Sequence, residues 1–183
     1  FHLCGNGIFE KRDTDIFKYM VKVNAVPGLE EADENIVFKL PKVPWLIFMK
    51  TVSFFRFIYG KYKSEAMVQL YWNVKKKEYY VYVPVQEVSA GHVDFTNRKH
   101  DEDIKVMDIH SHGNGGAFFS GIDDNDEKES KLYMVIGNIA EAPEAKLRAV
   151  CSGRCIELPV SSVFDIDIII PKEWNFRVKE KKW

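Results

Sequence analysis

The chain has 183 residues, 46% of them hydrophobic and 29% charged, and its 26 Lys+Arg against 27 Asp+Glu give a net charge of −1. That length makes one domain with at most a short appendage. The apolar content suffices for a packed core, and the balanced charge speaks for neither nucleic acid nor a membrane surface. Three cysteines, an odd number, argue against a disulfide framework and for a reducing, cytoplasmic compartment.

The start at Phe1 lacks the basic-then-apolar pattern of a signal peptide. Residues 7–23 read as two strands around a polar turn at Lys11–Asp15, 24–35 as an acidic Pro/Gly loop, and 36–40 as a short strand or extended entry. Residues 45–62 form the most apolar stretch. Lys50 and Arg56 interrupt it and it is shorter than a membrane span, so it predicts a buried helix with Pro44 at its start and Gly60 at its end. Leu46, Met49, Val52, Phe55 and Tyr59 mark its expected core face, with Ser53 and Arg56 on the wetter side. Residues 64–73 and 78–88 alternate apolar and polar positions and predict a hairpin across the charged turn Val74–Lys77. A loop over 89–103 carries a short strand at His92–Phe95. Residues 132–139 read as a strand, 146–159 as a second hairpin turning at Ser152-Gly153, 163–171 as a last extended segment, and the charged tail as helix or disorder. Cys151 and Cys155 form a C-x-x-x-C with no second pair or nearby His, so ordinary thiols are the expectation.

The chemistry concentrates in residues 109–127. The apolar run before His110 predicts a strand, on which His110 and His112 share one side. The glycines of 113–116 form a tight turn. Ser120, with Asp123 three residues on, is the signature of a helix N-terminus. The loop would bring Asp123 in the first helical turn back towards the imidazoles. A divalent metal held by two imidazoles and one carboxylate keeps a fourth position open for water, which is the arrangement of catalytic zinc rather than structural zinc. Asp124 and Asp126 are rivals for the third ligand. His2, His92 and His100 are expected bystanders. Taken separately, H-x-H is often an exposed polar pair and S-x-x-D a plain cap; the combination at this spacing is what points to metal.

His110, Ser111, His112, seven residues, Ser120, two residues and Asp123 make a pattern that resembles the JAMM motif of the JAB/MPN metalloproteases. The resemblance extends over residues 40–160. An apolar helix, a glutamate entering a strand and the strand end VPVQEVS precede the histidines in the order that family uses. Within it the chain resembles the bacterial JAB-domain proteins, the plasmid-encoded PRTRC system protein A type included. The implied fold is α/β, a three-layer domain with a mixed β-sheet flanked by helices. Residues 41–183 would form the metalloprotease domain and 1–40 a β extension of it.

A zinc hydrolase also needs a carboxylate to take a proton from the attacking water. From the residues alone Glu65, Glu78 and Glu87 compete. Glu78 lies beside a Lys-rich turn, and Glu87 at a strand end is the runner-up. The resemblance favours Glu65, which follows the helix and enters a central strand. It implies Zn2+ on His110, His112 and Asp123, Glu65 as general base, Ser120 donating to the oxyanion, and Ser111 turned away in a structural role. The reaction it implies is hydrolysis of a peptide or isopeptide bond after the C-terminal Gly-Gly of a ubiquitin-like or sulfur-carrier protein. The short run from Asp124 to Leu132 leaves no room for the long insertion of chain-specific members, which points to the smaller, bacterial type of specificity. The competing readings are an MPN scaffold without catalysis and a zinc hydrolase of another small amide.

Overall fold

The structure is a computed structural model that describes residues 1–13, 18–30, 36–89, 93–96, 102–166, 177 and 179. The chain divides into two compact units, Phe1–Val37 and Phe38–Trp183. In the first, β1 (His2–Cys4), β2 (Gly7–Asp13) and β3 (Lys18–Val23) form an antiparallel meander. The two expected strands are there, preceded by a third that the sequence did not signal. β2 runs on through Asp13, so Lys11–Asp13 of the expected turn are strand, and the rest of that turn lies outside the described residues.

The second unit opens with β4 (Val43–Pro44) and α1 (Trp45–Tyr62). Residues 36–40 form no strand. α1 spans the expected helix, but two details differ. It passes through Gly60 and ends at Lys63, whose φ of 53° is the left-handed cap conformation and whose N–H donates to Tyr59 O at 3.0 Å. Its buried stripe is Phe48, Thr51, Val52 and Phe55, while Leu46 and Met49 are exposed. The 3–4 spacing holds and its phase shifts. Trp45 stacks on Phe48 at 4.2 Å between centroids, and both meet Phe164 edge-on, turning the helix to that side.

Next come β5 (Met67–Asn73), β6 (Glu78–Tyr82), β7 (Gln86–Val88), β8 (Val93–Phe95), β9 (Ile104–Ser111), α2 (Gly121–Asp126), β10 (Leu132–Gly137), β11 (Glu144–Cys151), β12 (Arg154–Leu158) and β13 (Phe164–Asp165). The main sheet has the order β12-β11-β10-β9-β5-β6. β9 and β10 are parallel and the other neighbours antiparallel, so the sheet is mixed. With α1 and α2 beside it, the unit is an α/β domain. β5 and β10 are buried along almost their whole length, which their continuous apolar runs MVQLYWN and LYMVIG allow. The alternation expected in residues 66–72 is therefore absent, because a central strand is covered on both faces. In the shorter strand expected at His92–Phe95, His92 lies outside the described residues, as do His100, 167–171 and most of the tail.

The parallel pair makes the site. After β9 the chain must return across the sheet end before β10 can start, and such a crossover commonly carries a helix. Residues 112–131 do this through the glycine turn and α2. Along β9, Met107, Ile109 and Ser111 turn to the core while Asp108 and His110 turn to a cavity that both line.

Candidate metal centre

His110 Nε2 lies 3.2 Å from His112 Nε2 and 3.2 Å from Asp123 Oδ1. The ligand atoms of the three residues all fall within 4.8 Å of one another. Tetrahedral zinc with bonds of about 2.0–2.1 Å holds its ligands about 3.3 Å apart, so the group fits such an ion. Among the described residues this is the one such group of His, Cys, Asp and Glu.

His112 and Asp123 are held by neighbouring groups. The His112 N–H donates to Ile136 O at 2.9 Å and its ring meets Phe118 edge-on at 4.7 Å. The glycine turn folds back on β10: Asn138 N–H donates to Gly115 O and Ile139 N–H to Gly113 O. Gly137 lies under this turn, and a Cβ there would stand 2.4 Å from Gly115 O and Ala117 N. Gly113 takes a φ of +55° beside the Tyr59 ring, which suits no larger residue.

Ser120 caps α2 in a complete capping box. Asp123 N–H donates to Ser120 Oγ at 3.3 Å, and Ser120 N–H donates to Asp123 Oδ2 at 2.6 Å. The Ser120 hydroxyl also donates to Asp123 Oδ2, at 2.7 Å. Its proton thus faces the carboxylate. Asp123 turns one oxygen to Ser120 and the other to His110.

Of the rival acids, Asp124 turns to Arg148 and accepts from Nη1 at 2.5 Å, while Asp126 lines the cavity. Arg148 was not among the residues singled out above. Its Nε donates to Glu127 at 2.8 Å and its guanidinium lies 3.9 Å over the Phe119 ring, so it ties both ends of the α2 region to β11. A buried arginine within an apolar strand carries no motif that could have announced it.

Glu65 borders the same cavity of about 540 Å3 as the triad, together with Met67, Phe118 and Ile122. Three successive amides fix this strand entry. Glu65 N–H donates to Ser89 O at 3.1 Å, Ala66 N–H to Ser111 Oγ at 3.1 Å, and Met67 N–H to Gln86 Oε1 at 2.9 Å. Ser111 is buried on the core side of β9, opposite the histidines. Gln86 Nε2 donates back to Met67 O at 3.0 Å, standing in for a strand where β6 has ended. Gln86 sits in the VPVQEVS run whose neighbour Glu87 drew attention instead. Glu87 is exposed, pairs across β7–β8 with Asp94 and does not line the cavity; Glu78 is exposed 3.7 Å from Lys76.

Burial holds the His110 imidazole down at about 4, against the attraction of Asp123, so it is neutral and able to ligate. Burial alone would raise Asp123, yet His110 and the two Ser120 hydrogen bonds pull it below the usual carboxylate range. Burial lifts Glu127 to about 7 despite Arg148.

Cys151 and Cys155 do not face each other. Val150 pairs with Cys155 and Cys151 with Arg154, so the two thiols project from opposite faces of the hairpin. Cys4, Cys151 and Cys155 are free thiols.

A family model described as prokaryotic homologs of the JAB domain matches residues 55–150, which include Glu65 and the triad. None of the curated proteins matches the chain. No helix among the described residues is long and apolar enough to cross a membrane.

Proposed function

The chain belongs to the prokaryotic homologs of the JAB domain, and from that premise we propose that it is a zinc-dependent peptidase or isopeptidase acting after the C-terminal Gly-Gly of a ubiquitin-like or sulfur-carrier protein. The observation that carries this reading is the convergence of His110, His112 and Asp123 in one cavity with Glu65. Zinc, when bound, would polarise the scissile carbonyl and acidify a water molecule. Glu65 takes that water's proton and returns it to the leaving amine. Asp123 is aimed by Ser120, and the Ser120 hydroxyl serves a developing oxyanion only by rotating off Asp123. Phe118, Met67 and Ile122 give the cavity an apolar side next to the reacting groups.

The same proposal carries the family's three-layer arrangement and the narrower likeness to the PRTRC type. A scaffold role is the second reading, and the retained ligand set argues against it. The experiment is zinc analysis of protein purified without chelators, followed by mass spectrometry of a Gly-Gly-terminated carrier fused to a short tail. We expect about one zinc per chain and release of the tail, and loss of both in His112→Ala. A protein without zinc would move the reading to the scaffold. Zinc without cleavage of any such fusion would move it to another amide substrate.

A further inference from the structure

Ser111 stands between the two histidines and turns the other way, into the core, where it is 1% exposed. Opposite it lies Ala66, equally buried. A β-bulge makes this pairing. Trp72 and Tyr71 face Ile104 and Lys105, but Leu70 faces Met107, which leaves Val106 as the extra residue of β9. From there the register runs regularly to Met67 opposite His110. Without the extra residue every partner would slip by one, and His110 rather than Ser111 would meet Ala66.

Closely paired antiparallel residues exchange two backbone hydrogen bonds. Ala66 and Ser111 exchange only one. Ser111 N–H donates to Ala66 O at 2.9 Å, but the returning Ala66 N–H goes to Ser111 Oγ, at 3.1 Å, instead of the Ser111 carbonyl. The side chain thus completes a ladder that the two strands are already leaving. One residue on, His112 N–H donates to Ile136 O of β10, and Glu65 N–H donates to Ser89 O. In the same register Glu65 and His112 form the next level, and both line the cavity. The Ser111–Ala66 step is therefore what the β5–β9 ladder offers to keep the proposed base level with a metal ligand. A residue without an oxygen at position 111 would leave the Ala66 amide buried without its acceptor.

We propose that Ser111 is a positioning residue: through Ala66, its hydroxyl oxygen holds Glu65 level with His112, so that the strand carrying the metal ligands also sets the place of the base. This rests on the hydrolase reading and adds to it a residue turned away from metal and substrate alike.

The test compares Ser111→Thr with Ser111→Val in zinc-loaded protein. The two side chains have the same shape and strain the packed site alike, but only threonine keeps the oxygen. Zinc affinity is read by chelator competition, amide exchange at Ala66 by NMR relative to the amides of β10, and kcat and KM on a Gly-Gly-terminated carrier fused to a short tail. Both variants should hold zinc equally. Exchange at Ala66 should be about tenfold faster in Ser111→Val, the worth of one hydrogen bond. Its kcat should fall about 10²-fold below that of Ser111→Thr at a shared KM, the cost of a misplacement of about 1 Å. In a Glu65→Gln background the two should turn over alike, because the group being placed is gone. If Ser111→Val does not fold, Ser111→Ala against wild type makes the same comparison. Equal exchange at Ala66, equal kcat with Glu65 present, or a difference that persists in the Glu65→Gln background overturns the assignment. Cleavage with no difference between the two variants rejects the role of Ser111 and keeps the hydrolase. If no form cleaves, the hydrolase reading falls, and faster exchange in Ser111→Val alone still supports the hold of Ser111 on Ala66.

Discussion

The Ser120 hydroxyl donates its proton to Asp123 Oδ2 at 2.7 Å. A hydroxyl so engaged would orient Asp123 on a bound metal. Ser120→Ala should therefore weaken zinc binding by about 10–100-fold, the usual cost of losing a ligand's hydrogen-bonded support. Competition with a fluorescent chelator measures it. If zinc affinity stays at the wild-type level while turnover falls about 10²–10³-fold, the serine acts on the oxyanion instead.

Glu65 shares the triad's cavity and Glu87 does not. Glu65→Gln should keep zinc and lose about 10²–10⁴-fold in kcat, the worth of a positioned acid/base. Glu87→Gln should cleave at the wild-type rate. The reverse pattern would transfer the role to Glu87.

The enclosed His110 imidazole gives the metal-free protein a pH-dependent stability. Its folded value of about 4 lies below the ordinary 6.5, so between these values the unfolded chain binds the extra proton. Stability from this group is complete above about 6.5 and declines as pH falls towards about 4, by at most about 1.4 kcal/mol per unit. Glu127, lifted to about 7, contributes the opposite slope as pH rises from 4.5, and does so in any His110 variant. Urea titrations of chelator-treated wild type and His110→Gln should diverge in slope between those limits. Parallel slopes would show that His110 titrates normally.

Arg148 and Glu127 are both buried and paired at 2.7–2.8 Å. Arg148→Met leaves the Glu127 carboxyl without its cation and should cost up to about 3–5 kcal/mol at pH values where Glu127 is ionised, less where it takes up a proton. The double change Arg148→Met, Glu127→Leu should recover much of that loss, since an apolar pair replaces a buried ion pair at little cost. Denaturant midpoints of the single and double variants decide it. A double variant as unstable as the single one would mean that the guanidinium acts through Phe119 and Asp124 alone.

How far the residues announced these arrangements depends on whether the signal was local. The His110/His112 pair on one strand face, the Ser120–Asp123 cap and the Ser152-Gly153 turn all follow from neighbouring residues. In the turn, both residues adopt positive φ, 52° and 75°, which Ser-Gly signals directly. The phase of α1 did not follow, because Phe48 and Phe54 are as apolar as Leu46 and Met49 and only Phe164, far along the chain, selects the stripe. The extra residue at Val106 was equally silent, since a bulge exists only relative to the strand opposite. Arg148 and Gln86 act through partners remote in sequence, and nothing in their own surroundings marks them.

Gln86 has a consequence for how a substrate can lie beside the triad. Many proteins grip an extended chain by letting it join a sheet as one more strand. At Met67 that route is closed, because a side-chain amide already occupies both the donor and the acceptor the newcomer would use. A chain entering the cavity therefore cannot pair with Met67 while Gln86 holds it. Gln86→Ala would leave the Met67 N–H and C=O open to an added strand.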